Sequence, residues 1–167
     1  MCDIGHIPVL LNEVLESLQP SDGEVIVDLT AGRGGHAAAL AKVSKPSNVV
    51  LFDLDANNLK FAANRVEQES GVKPICVHSN FATAAQTLNQ QSLKADIVLA
   101  DLGFASNQMD SPERGLSFLK EGPLDMRLNQ DSGKTAADII NAFSEKELAE
   151  LIYTQGEDPF SKQIARK

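Results

Sequence analysis

The chain has 167 residues, 43% of them hydrophobic and 23% charged, with a net charge of −8. That suits one domain with a sizeable core in water, and no run approaches the ~20 apolar residues of a membrane span. The acidity is even, 7 Lys and Arg against 11 Asp and Glu in residues 1–100 and 8 against 12 in residues 101–167, which excludes holding nucleic acid by bulk charge and leaves any RNA contact to be local or supplied elsewhere.

In chain order, Met1-Cys2-Asp3-Ile4-Gly5-His6 lacks the basic and apolar regions of a secretion signal, so the cytoplasm is the expected compartment and no membrane is expected as a partner. Apolar spacing then predicts a helix near 9–19, a strand near 24–29, a helix near 35–43, a strand near 48–53 and a helix near 56–69. A strand near 73–78, a helix near 82–91 and the strand Asp96-Ile97-Val98-Leu99-Ala100 complete the alternation. The unbroken apolar run of that last strand suits burial on both faces. Repeated β-α units predict an α/β fold, a doubly wound parallel sheet with its ligand crevice at the carboxyl ends of the strands, where the strand order reverses. The two cysteines, Cys2 and Cys76, are too few for a disulfide framework and have no metal-ligand spacing. Cys76, inside an apolar stretch, is expected to pack as a small hydrophobe.

The polar residues at the expected strand ends carry the functional reading. After Glu24-Val25-Ile26-Val27 comes Asp28-Leu29-Thr30-Ala31-Gly32-Arg33-Gly34-Gly35-His36, an apolar strand running into a glycine-rich turn that opens a helix. Glycines there permit positive φ and close approach of a ligand to helix-start N–H groups, a cradle for a nucleotide cofactor. Gly32, Gly34 and Ala37 also satisfy a relaxed dinucleotide pattern, so the turn alone does not separate a nicotinamide enzyme from one using S-adenosylmethionine (SAM), nor either from a tight turn without a ligand. Asp53 closes the second strand, where a carboxylate can accept hydrogen bonds from the hydroxyls of a ribose. Asp55 is expected to cap the following helix. Phe81 follows the third strand, suited to an adenine face or to plain core. Asp101 ends the fourth, where a merely structural carboxylate would face desolvation, which favours a pocket role.

Three further blocks are specific: Asp101-Leu102-Gly103-Phe104-Ala105-Ser106-Asn107-Gln108-Met109-Asp110, Glu113-Arg114-Gly115-Leu116-Ser117-Phe118 and Gly122-Pro123-Leu124-Asp125-Met126-Arg127. With His6-Ile7-Pro8-Val9-Leu10-Leu11-Asn12-Glu13-Val14-Leu15, the turn from Thr30 to His36, and Gly156-Glu157, they make the chain resemble the ribosomal RNA small subunit methyltransferase H family. These are SAM-dependent enzymes that methylate N4 of a cytidine in the decoding region of small-subunit rRNA. The resemblance implies a Rossmann-like SAM-dependent methyltransferase fold, with SAM contacted at Gly34, Gly35, His36, Asp53, Phe81, Asp101 and Gln108. By residue type alone, His36 would be a cap or a solvated side chain and Gln108 a solvated amide. Phe104, Ala105 and Leu116 depart from the family's usual small aliphatic residue, serine and phenylalanine, which bears on positioning of the target base rather than on cofactor binding.

The resemblance covers only the first half of the family, which continues into a helical substrate domain before its sheet is finished. It therefore implies a SAM-binding core over 1–102, a loop region over 103–134 carrying the blocks above, and the start of a helical substrate-recognition region over 135–167, with the sheet incomplete. The chemistry implied is direct displacement at the SAM methyl carbon by an amino nitrogen whose lone pair is delocalised into the ring. A group must accept a hydrogen bond from its N–H, and Asp101, or a carbonyl beside it, is the available catalytic acceptor. No metal is implied. The cytidine has to be presented splayed out of its stack, and the small-subunit rRNA or the small ribosomal subunit is the implied partner. Arg114 and Arg127 suit phosphate contacts there, or equally ion pairs with Glu113 or Asp125 that order a long loop. The sequence leaves open a homo-oligomer, a SAM-binding remnant without activity, and a nicotinamide-dependent oxidoreductase, although the blocks after Asp101 have no part in hydride transfer.

Overall fold

The computed structural model describes residues 8–167, which divide into two compact units, one ending at Ser106 and one spanning Asn107–Lys167. Cys2, the stretch Met1 to His6 and Ile7 lie outside the described residues. The first unit runs α1 (Leu11–Leu18), β1 (Val25–Asp28), α2 (Gly35–Val43), β2 (Asn48–Asp53), α3 (Ala56–Ser70), β3 (Ile75–His78), a 3₁₀ turn (Phe81–Thr83), α4 (Ala84–Gln90) and β4 (Ile97–Leu99). All pairings are parallel, in the order β3-β2-β1-β4. The expected α/β sheet is therefore present, and its strand order reverses between β1 and β4, the position where such sheets open a crevice.

Alternation along β1 and β2 sorts the core onto both faces of the sheet. Val25, Val27, Val50 and Phe52 pack with Ala84 and Leu88 of α4, while Val49 and Leu51 pack with Ala37, Ala38 and Ala41 of α2 and Leu59, Ala62 and Val66 of α3. Ile26, Leu40 and Ile97 form a third cluster with Leu15 and Leu18 of α1. Fully burying a side chain such as Phe52 contributes about 1.5–3 kcal/mol. Alanines at the α2–α3 contact keep little bulk between the two helices, which places α3 against the turn that opens α2. The Asp55 carboxylate accepts the N–H groups of Asn57 and Asn58 at 2.9 and 3.3 Å, the expected cap of α3.

Two expectations fail at the sheet edges. β4 is not buried on both faces: Ile97 is 5% exposed and packs with Leu15, Leu18 and Leu40, but Val98, on the other face, is 53% exposed and joins no core cluster among the described residues. Cys76 does not pack as a core hydrophobe either. On the opposite edge strand, β3, Ile75 and Val77 are half-buried while Cys76 and His78 are exposed. An apolar run records side-chain type, whereas burial depends on whether another layer covers that face.

The second unit carries α5 (Ser106–Asp110), which begins at the last residue of the first, then a 3₁₀ turn (Pro112–Arg114), a loop, α6 (Ala136–Ala142), α7 (Glu145–Gly156) and α8 (Ser161–Arg166). Thr135 with Asp138 and Ser144 with Glu147 form capping boxes that start α6 and α7. Among the described residues, no helix is long and apolar enough to cross a membrane.

Candidate functional site

The turn after β1 is stitched to both neighbouring strands. The Leu29 N–H donates to the Leu99 carbonyl and the Ala31 N–H to the Phe52 carbonyl, each at 2.9 Å. The Gly32 N–H donates to Asp53 Oδ2 at 2.7 Å, and Asp53 Oδ1 accepts the Asp55 N–H at 2.8 Å. The Asp101 N–H donates to Thr30 Oγ1 at 2.7 Å. Residues distant in sequence thus converge at the carboxyl edge of β1, β2 and β4, and the fold itself fixes the loop that the sequence singled out.

The glycines of the turn divide by what surrounds them. Gly32 has φ +49°, and a Cβ added there would meet nothing nearer than the Thr30 carbonyl at 3.8 Å, so this side of the turn is open. Gly34 has φ +74°, and a Cβ there would lie 2.8 Å from the Ala62 Cα. Packing of the turn on α3 therefore requires glycine at position 34 whether or not a ligand approaches it. At Gly35 a Cβ would collide with the Pro8 ring. His36, one residue on in α2, is buried and points its Nε2 toward Asp101 Oδ2, 3.7 Å away.

Asp101 is exposed, its side chain 54% accessible, so desolvation does not mark it out as expected. The strongly desolvated carboxylate is Asp28, 2% exposed at the end of β1. Burial pushes its carboxyl from 3.8 up to about 7, the Thr30 N–H pulls the other way, and the charges of Asp53 and Asp101 push it up further. Its Oδ1 accepts that Thr30 N–H at 3.0 Å. Burial also raises the Asp53 carboxyl, opposed by the N–H groups of Asp55 and Gly32. Sequence reading passed over Asp28 and Thr30 as site residues. The available signal was a carboxylate ending an apolar strand, the same signal used for Asp53 and Asp101.

Phe81 begins the 3₁₀ turn after β3 and is 44% exposed, so it is not plain core. Its strand pairs with β2 so that His78 stands opposite Asp53, and His78 Nε2 lies 3.0 Å from the Leu54 carbonyl. Gln108 is on α5, in the second unit. Gly34, Gly35, His36, Asp53 and Asp101 are thus gathered at one sheet edge, Phe81 follows the next strand, and Gln108 belongs to the other unit.

The model of the MraW methylase family matches residues 3–167. The chain belongs to that family. Within it, the chain is 43% identical over 165 residues to the ribosomal RNA small subunit methyltransferase H of Carboxydothermus hydrogenoformans, covering 98% of this chain and 52% of that protein. It is 41% identical over 163 residues to the same-named protein of Rickettsia massiliae, with 98% and 52% covered. The chain spans about half the length of the curated relatives it matches. Among solved structures, NSun6 from Pyrococcus horikoshii with SFG has a TM-score of 0.44 and 24% identity, over 57% of this chain and 24% of that one.

In this MraW-family chain, the arginines of the later blocks prove to be structural ties. Arg127 makes a two-pronged ion pair with Asp125, Nη2 to Oδ2 at 2.7 Å and Nε to Oδ1 at 2.8 Å, and Nη1 donates to the Gly133 carbonyl. The Arg127 hydrogen bonds hold the Asp125 carboxyl down at about 2. Arg114 is buried, with Nη1 donating to the Leu128 carbonyl at 3.1 Å. Of the two expectations for Arg127, the ion pair that orders a long loop is the one observed. Arg114 does the same ordering through a backbone carbonyl. Among the described residues, no group of three or more His, Cys, Asp or Glu is placed to hold a metal ion.

Proposed function

We propose that this chain is the SAM-binding portion of a methyltransferase that modifies N4 of a cytidine in small-subunit rRNA. The observation that carries the reading is the match to the MraW methylase family over residues 3–167, joined to a glycine turn and three aspartates at the carboxyl edge of β1, β2 and β4.

The residues present fit SAM. Gly32 leaves the inner side of the turn open. Each Asp53 oxygen receives one backbone N–H and, with two lone pairs, keeps capacity for a ribose hydroxyl. The exposed Asp101 carboxylate, with Asp53 at the end of β2, gives the turn an acidic surround that suits a cationic ligand. Gly34, Gly35 and His36 would line the cofactor's side of the turn, with Phe81 against the adenine. When bound, SAM supplies an electrophilic methyl carbon on its sulfonium.

The chain's own part is to bind, orient and accept a proton. Thr30 holds the backbone of Asp101 at the end of β4, and the exposed Asp101 carboxylate accepts a hydrogen bond from the N–H of the incoming cytosine amine. That interaction grows as the nitrogen pyramidalises and gives up its delocalised lone pair. The net charge of −8 opposes the rRNA backbone, and Arg127 is engaged with Asp125, so grip on rRNA would come from outside the sheet edge. The proposed setting is the cytoplasm, acting on the small ribosomal subunit.

Isothermal titration of the 167-residue chain with SAM and with NAD tests the cofactor, and SAM alone should bind. Transfer of tritium from labelled SAM to small ribosomal subunits tests the substrate. Binding of NAD in place of SAM would overturn the reading.

A further inference from the structure

Arg33 stands between Gly32 and Gly34, both at positive φ, so it is the single side chain in a stretch whose neighbours have little intrinsic preference for the conformation they hold. Backbone bonds fix part of the turn: Gly32 N–H to Asp53 Oδ2, and Gly34 N–H to the Ala31 carbonyl at 2.7 Å. A further handle is the Arg33 guanidinium, whose Cζ lies 4.0 Å from the centroid of the Phe61 ring. Phe61 is 38% exposed, a large ring that the core does not absorb, whereas its neighbour Ala62 is buried against Gly34. Consecutive residues of α3 therefore face consecutive residues of the turn, one through a cation over an aromatic face and one through close packing. α3 is itself held by the Asp55 cap and by buried Leu59 and Val66, which makes it a rigid backing.

We propose that Phe61 is a positioning residue for the glycine turn, its ring holding Arg33 so that the turn's backbone N–H groups stay in the arrangement that receives the cofactor. The consequence for binding rests on the SAM reading above; the ordering of the turn does not. A cation over an aromatic ring at a partly exposed site shifts an equilibrium about two- to fivefold, and that is the scale expected.

Amide exchange of the unliganded chain by NMR, with SAM titration, tests this on Phe61→Leu, Phe61→Tyr and Arg33→Met. Phe61→Leu should speed exchange at Gly32 and Gly34 and raise the SAM dissociation constant, each about two- to fivefold, with the amides of Leu59 to Val66 unchanged. Phe61→Tyr should behave as the parent, and Arg33→Met combined with Phe61→Leu should be no worse than either alone. Unchanged exchange at Gly32 and Gly34 overturns the proposal. So does faster exchange spread through α3, which would make Phe61 merely structural, and so does a Tyr variant that resembles Leu. If the parent chain fails to bind SAM, the cofactor reading falls, and exchange at Gly32 and Gly34 alone decides the positioning role.

Discussion

The Gly32 N–H and Asp53 Oδ2, 21 residues apart in sequence, meet at 2.7 Å, so the carboxylate proposed to bind the ribose also secures the turn that faces it. Asp53→Ala removes both functions. It should weaken SAM binding by roughly 1.5–3 kcal/mol, the scale of lost hydrogen bonds to a charged acceptor, and also lower the melting temperature, because the Gly32 and Asp55 N–H groups lose their partner. Titration calorimetry and thermal melts check the two together. Asp53→Asn, which keeps one oxygen, should fall between.

Substitutions in the glycine turn should separate packing from binding. Gly34→Val drives a side chain into the Ala62 backbone at a φ of +74°, so it should lower the melting temperature and disturb the circular dichroism as well as abolish binding. Gly32→Ala meets no neighbour and pays only the left-handed backbone cost of about 1–2 kcal/mol. It should stay folded. A Gly34→Val chain with parental stability would contradict the packing described for α3.

Asp28 makes stability pH-dependent with a definite sign. Its folded carboxyl titrates near 7 against 3.8 in the unfolded chain, so between those values the folded state holds the extra proton and stability falls as pH rises. The raised Asp53 carboxyl acts in the same direction. Asp28→Asn, always neutral, should melt higher than the parent at pH 8 and differ little at pH 5. Denaturant midpoints across pH 5–8 measure this, and a parent whose stability rises over that range would refute it.

Asp101→Asn tests the proposed acceptor. With the remaining half of the family's length joined to this chain, the variant should bind SAM measurably yet lose about 10²-fold in methyl transfer to small ribosomal subunits. Full activity would remove Asp101 from the chemistry. Its exposure and the Thr30 bond to its backbone predict little change in melting temperature.

The Asp125–Arg127 pair should anchor the loop of the second unit. Asp125→Asn leaves the Arg127 guanidinium short of its two-pronged partner and should expose residues 122–135 to limited proteolysis. In the parent, the depressed Asp125 carboxyl keeps the pair intact at neutral pH. Its contribution is lost only as pH falls from the ordinary carboxylate range through about 2.

The sequence by itself determined the α/β alternation, the glycine turn, the carboxylates at the strand ends and the cap at Asp55, because these depend on local spacing and on residues whose conformational or hydrogen-bonding preferences act within a few positions. The limits of one strand and one helix followed for the same reason, with β2 at Asn48–Asp53 and α2 at Gly35–Val43 where the apolar pattern put them. Tertiary structure decided which groups lose water. It buried Asp28, the last residue of a strand with a neighbour on each side, and left Asp101 exposed two residues beyond the end of β4. It set Gly34 against Ala62, exposed Val98 and Cys76 on the sheet edges, and closed Arg127 onto Asp125. Each outcome depends on what a distant segment brings alongside, and one-dimensional spacing does not specify that.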